Sequence, residues 1–169
     1  MKHISLKLLI CFFTFSAHGS QGLPRGWNLI SLKDLKLKTI DGDTFEADLN
    51  RNGRIAGKQE RVRLLYVDTP ELNESHKGKD LLHGIPAKDF LKQKLNTGRC
   101  SLWVDPENSR GNHGRLLGLV ECSGININLE LIREGHSYFD TRFSRPWNYV
   151  LYARQEAQAV SYTHLRAHE

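Results

Sequence analysis

The stretch from Arg61 to Glu71, R-V-R-L-L-Y-V-D-T-P-E, limits the folds open to this chain more than any other. Arg61 to Val67 is rich in β-branched and apolar residues and alternates as a strand does, with Val62, Leu64 and Tyr66 on one face and Arg63 on the other. Pro70 has no amide hydrogen and pushes Thr69 into an extended conformation, so the ladder is expected to end near Asp68. Two readings of that end stay open. In one, Thr69 caps a helix with Pro70 as its first residue, although Leu72 stands where a capping box places Glu or Gln. In the other, the Thr69 carbonyl is left without a sheet partner and lies beside Asp68 and Glu71 as a seat for a hard cation.

A second segment, Ile40 to Phe45, reads I-D-G-D-T-F. Asp-Gly between apolar runs signals a hairpin, because glycine tolerates positive φ, and alone the segment is a turn. Read with the first, it changes meaning. Asp43, Asp68 and Glu71 would gather three negative charges at strand ends, which repel one another unless a cation or raised pKa values relieve them. A third segment, Ser109 to Leu117, is a glycine-punctuated loop, S-R-G-N-H-G-R-L-L, running into a strand from Leu116 to Cys122. It places Arg115 where loop becomes strand. Alone, Arg115 reads as a solvated surface arginine. Two arginines facing carboxylates that hold a cation would instead suit a phosphodiester, since the planar guanidinium fork matches phosphate oxygens and keeps its proton.

D-G-D-T, then R-L-L-Y-V-D-T-P-E, then G-R-L-L-G, in that order, closely resembles the staphylococcal nuclease-like (thermonuclease) family from about Leu35 to about Gln158. The resemblance implies that Asp43, Asp68 and the Thr69 carbonyl are calcium ligands. It implies that Glu71 positions or activates water, and that Arg63 and Arg115 bind phosphate and stabilise the transition state. DNA or RNA would be cut at the 5′ oxygen, leaving 3′-phosphates. Gly111, Asn112 and His113 stand where the family often has Asp, a basic residue and Tyr, a departure that touches nucleotide-pocket contacts and not the core chemistry.

The rest of the chain is consistent with a small exported domain. Residues 1–19 join a basic start, a short apolar run and a small polar end, which reads as a secretory signal peptide. Secretion or a periplasmic location follows, without stable membrane association after cleavage, and a monomer is expected. The net charge is +5, and without Lys2 and Lys7 of the leader it is +3, a balance that permits nucleic-acid binding without arguing for it. Residues 20–159 then form one domain. Leu35 to Thr39, Phe45 to Leu49, the Arg61 strand, Cys100 to Asp105 and Leu116 to Cys122 are its strands. Asn73 to Asp80 reads as a polar loop, whose Lys77 and Lys79 are more commonly solvated loop charge than contacts to a phosphate backbone. Helices are expected from Pro86 to Gly98, from Ile127 to a stop at Gly135, and from Trp147 to Gln158. The sum is an α+β fold, a β-barrel plus helices: a five-stranded, partly open OB-like barrel with about three helices.

Cys100 and Cys122 fall opposite each other if the last two strands pair antiparallel with position sums of 222, either as a bridge or as two buried thiols. Tyr138, Phe139, Tyr149 and Tyr152 either stack on bases or fill the core. The histidines lack metal spacing, and no Gly-rich nucleotide loop or Cys-x-x-Cys is present. Residues 160–169 resemble a translated sequencing-adapter read-through rather than native chain, so the last helix is expected to be truncated. An alternative function for the whole is a non-catalytic OB-like module that binds nucleic acid or protein.

Overall fold

The computed structural model describes residues 25–55, 60–72, 79–143, 151–156 and 158. The leader, Lys77, Trp147, Tyr149, Val150 and the 160–169 tail therefore lie outside the described residues. The strands are β1 (Asn28–Ser31), β2 (Leu37–Thr39), β3 (Thr44–Ala47), β4 (Arg61–Leu64), β5 (Val67–Asp68), β6 (Cys100–Val104), β7 (Leu116–Cys122), β8 (Ile125–Asn126) and β9 (Tyr138–Phe139). Two helices, α1 (Lys79–Leu95) and α2 (Ile127–Arg133), are joined by a further helical stretch over 151–156.

The main sheet runs β1-β6-β7-β4-β3-β2 with β8 against β7, while β5 and β9 form a separate ribbon. It is mixed: β4 and β7 are parallel, with Arg63 beside Leu117, and the other pairs are antiparallel. The α+β, OB-like expectation holds, with the sheet open rather than closed into a barrel. Beneath it, Phe45, Leu64, Leu91, Leu102, Leu119 and Ile132 share one core and are essentially inaccessible to water. Each such side chain contributes about 1.5–3 kcal/mol.

Three sequence expectations change. The strand from Arg61 to Val67 is broken: β4 ends at Leu64, Tyr66 takes φ of 66°, and β5 starts at Val67. Tyr66 therefore does not continue the Val62 and Leu64 face as a strand residue. The break is held from far away in sequence, since the Leu65 carbonyl accepts from Asn128 at 2.8 Å and the Tyr66 carbonyl from the Asp140 amide at 2.9 Å. Next, α1 begins at Lys79, not at Pro86, which sits inside it. Proline there removes one amide donor, and the buried stripe of Ala87, Leu91 and Leu95 secures the helix regardless. Lys79 and Asp80 thus belong to α1 rather than to a loop. Last, β1 is an additional edge strand, pairing with β6 from Asn28 beside Val104 to Ser31 beside Ser101.

Other expectations hold. Asn126 caps α2 by accepting from the Leu129 amide, and Gly135, with φ of 73°, turns the chain away after the helix. Cys100 and Cys122 are directly opposed and joined in a disulfide of sequence separation 22. A loop of that length is worth about 3 kcal/mol by the chain-entropy account. Among the described residues no helix is long and apolar enough to cross a membrane.

Candidate active site

The β2–β3 hairpin delivers Asp43. The Ile40 amide donates to the Thr44 carbonyl at 2.9 Å, and the Asp43 amide donates to Asp41 Oδ1 at 3.1 Å, which fixes the loop. Gly42 is needed here for space, not for positive φ as the sequence suggests: a Cβ would sit 2.6 Å from that of Ala87 and 2.8 Å from Thr69 Oγ1. The hairpin tip is thus pressed between α1 and the end of β5. Asp43 is buried, and its Oδ2 accepts from the Thr69 amide at 2.9 Å and the Thr69 hydroxyl at 3.0 Å.

Arg63, on β4, joins the two carboxylates. Its Nη1 lies 2.7 Å from Asp43 Oδ2 and its Nη2 3.2 Å from Asp68 Oδ1. The same Nη1 donates to the Val67 carbonyl at 2.9 Å, so the guanidinium also fastens the turn at Leu65 and Tyr66. With a side chain only 7% exposed, Arg63 is part of the core wall. Burial pushes the Asp43 carboxyl up to about 6, against the opposing pull of Arg63 and the Thr69 hydrogen bonds. Asp68 is different: its side chain is 47% exposed, and its amide donates to Ser137 Oγ at 2.8 Å across the β5–β9 ribbon.

Asp140 and Arg142 belong to this cluster, and sequence reasoning missed them. Arg142 Nη2 lies 3.0 Å from Asp68 Oδ2 and 2.8 Å from Asp140 Oδ2, while its Nε donates to Asp140 Oδ1 at 2.9 Å. Asp140 also approaches Arg63 at 4.0 Å. Burial alone would raise the Asp140 carboxyl, but the hydrogen bonds and charge of Arg142 outweigh it and hold the group below the usual range. The available signal was the D-x-R spacing just after an aromatic strand. Asn128 was missed too: fully buried, it accepts from the Val120 amide and donates to the Leu65 and Gly118 carbonyls, tying α2 to the broken strand.

Glu71 and Arg115 are not bonded into this cluster. Glu71 is exposed two residues beyond Thr69. Arg115 precedes β7, and the parallel register that sets Arg63 beside Leu117 puts it on the same face of the sheet, with Cα atoms roughly 8 Å apart from strand spacing and rise. Neither side chain makes a hydrogen bond or ion pair among the described residues. The loop before Arg115 is closed by backbone: the Gly111 amide donates to the Arg115 carbonyl at 3.0 Å, and Asn112 and His113 are exposed.

Among the described residues no group of three or more His, Cys, Asp or Glu is arranged to hold a metal. Asp43 and Asp68 meet at Arg63, and Thr69 is fastened to Asp43 through its amide and hydroxyl, with the Asp43 carboxylate buried and raised in pKa. Carboxylate oxygens of this kind are the hard donors a calcium-like cation would take, with water and substrate as further ligands.

A staphylococcal nuclease homologue family model matches residues 61–162. Endonuclease YncB of Bacillus subtilis is 33% identical over 115 residues, covering 68% of this chain and 51% of that protein. The thermonuclease of Staphylococcus intermedius is 35% identical over 58% of this chain and 54% of its own length. That of Staphylococcus hyicus is 32% identical over 71% of this chain and 64% of its own. The chain thus spans about half the length of the first two of these relatives. With the matched span running from β4 through Arg115 to the helical stretch after Arg142, the chain belongs to the staphylococcal nuclease homologue family.

Proposed function

We propose that this chain is an exported, calcium-dependent nuclease that hydrolyses phosphodiester bonds of DNA or RNA and leaves 3′-phosphates. The observation that carries the reading is Arg63 spanning Asp43 and Asp68, with Thr69 fastened to Asp43, in a chain of this family. Names of relatives, endonuclease and thermonuclease, point the same way. Export is supported by the leader-like residues 1–19 and by a disulfide, which persists in oxidising compartments.

Asp43, Asp68 and the Thr69 carbonyl would hold the cation, which when bound supplies positive charge to the scissile phosphate. Glu71 accepts a proton from the attacking water, as its exposed place beyond Thr69 allows. Arg63 and Arg115 donate to the phosphoryl oxygens from one sheet face. The substrate enters from the Asp68 side, where the cluster opens to solvent, and the domain works as a monomer. Digestion of a DNA and an RNA oligonucleotide with calcium and with a chelator tests this, alongside binding to the same strands without calcium. Cleavage only with calcium supports the reading. Binding without cleavage at any calcium level replaces it with the binding-module reading.

A further inference from the structure

Four aromatic residues of the C-terminal third read more readily as core or interface filling than as base-stacking residues, and the fold separates them. Tyr152 is fully buried and stacks on Phe139 with ring centroids 5.7 Å apart, and both lie in the core. Tyr149 lies outside the described residues. Tyr138 alone of the three described is open to water, at 70% exposure.

Its register gives that exposure a meaning. In the β5–β9 ribbon Val67 pairs with Phe139 and Asp68 with Tyr138. Val67 and Phe139 are buried, so alternation turns Asp68 and Tyr138 together to the outer face. Directly opposed residues hold their Cβ atoms about 4.5–5.5 Å apart. Tyr138 therefore stands immediately beside the partly exposed Asp68 carboxylate, whose Oδ2 is bonded to Arg142, itself 70% exposed. On the nuclease reading, a phosphodiester held by Arg63 and Arg115 beside Asp68 carries its neighbouring nucleobase within one nucleotide's reach, and an exposed phenol ring on a hydrogen-bonded strand is a rigid, sequence-tolerant platform for it.

We propose that Tyr138 is a substrate-positioning residue whose ring stacks on a nucleobase adjacent to the scissile phosphate in single-stranded nucleic acid. The assignment rests on the nuclease reading for the position of the phosphate. Stacking needs the ring and not the hydroxyl, so Tyr138→Phe and Tyr138→Ala separate the two.

The experiment measures anisotropy of a fluorescein-labelled single-stranded DNA oligonucleotide, in chelator so that nothing is cut, against the intact chain and both variants. A second oligonucleotide carries abasic sites in place of its central bases. Tyr138→Ala should weaken binding of the base-bearing strand about tenfold, Tyr138→Phe should stay within about twofold, and on the abasic strand all three proteins should bind alike. Thermal midpoints should be unchanged. Equal binding of the base-bearing strand by Tyr138→Ala and the unmodified chain overturns the proposal, as does an equal loss on the abasic strand. Parallel digestion in calcium separates the two readings: an unmodified chain that binds without cutting contradicts the nuclease reading while the stacking comparison still stands or falls on its own, and one that does not bind overturns both.

Discussion

The site has two halves built on different principles. Asp43, Arg63, Thr69 and Asp140 are buried and mutually bonded, part of the same wall as the core. Glu71 and Arg115 are not bonded into this cluster and make no hydrogen bond or ion pair among the described residues. The first half is organised before any ligand arrives, because a carboxylate and an arginine taken from water must find each other to be tolerated at all. On the proposed function, the second half is left to the substrate. Stability and activity should therefore come apart along this division.

The largest expected effect is on the buried side. Arg63→Met leaves Asp43 without a facing cation, while Asp140 keeps Arg142, and should cost about 3–5 kcal/mol and abolish cleavage. A denaturation midpoint close to that of the unmodified chain would mean that the cluster is not held as described. Next comes Glu71→Gln: cleavage should slow by about 10² or more, with stability changed by no more than about 0.5 kcal/mol. A sharper form of the comparison uses lysine. Arg63→Lys should lose both activity and stability, because a point charge cannot span Asp43 and Asp68, whereas Arg115→Lys should lose activity alone. Paired melting and rate measurements on the two variants decide it, and a matching loss of stability in both would erase the distinction.

A further effect is a pH slope. With its folded pKa raised to about 6 from the ordinary 3.8, Asp43 binds more proton folded than unfolded between those values. Its contribution to the stability of the metal-free chain is thus present at low pH and is lost as pH rises from about 4 to about 6. Asp43→Asn should remove that part of the profile in denaturation measured across pH. Superimposable pH profiles would count against the buried environment.

The sequence makes the residues that carry the chemistry easy to see and the bonds that close the site around them hard. D-G-D-T and D-T-P-E announce a hairpin and a strand end, Gly-Arg before an apolar run announces Arg115, and the spacing of Cys100 and Cys122 fits the observed register. These are local signals. What closes the site is not local. The Tyr66 turn is held by Asn128 and Asp140, both more than sixty residues further on, and nothing in a strand-like run of apolar residues foretells a positive φ. Asp140 and Arg142 meet Asp68 only because β9 pairs with β5, a ribbon too short to leave a periodic trace. Gly42 was identified correctly but for the wrong reason, since contact with α1 and Thr69 cannot be read from a turn motif. Pro86 misplaced the start of α1 because the burial of Ala87, Leu91 and Leu95 outweighs one lost hydrogen bond.

The most direct test is single-turnover cleavage of a DNA oligonucleotide across calcium concentrations by the unmodified chain and by Glu71→Gln. Both curves should saturate at similar calcium, because the ligand-holding half is untouched, with the Glu71→Gln plateau lower by about 10² or more. Folded protein that binds the oligonucleotide but never cuts it at any calcium level, or a Glu71→Gln plateau equal to that of the unmodified chain, would contradict the account.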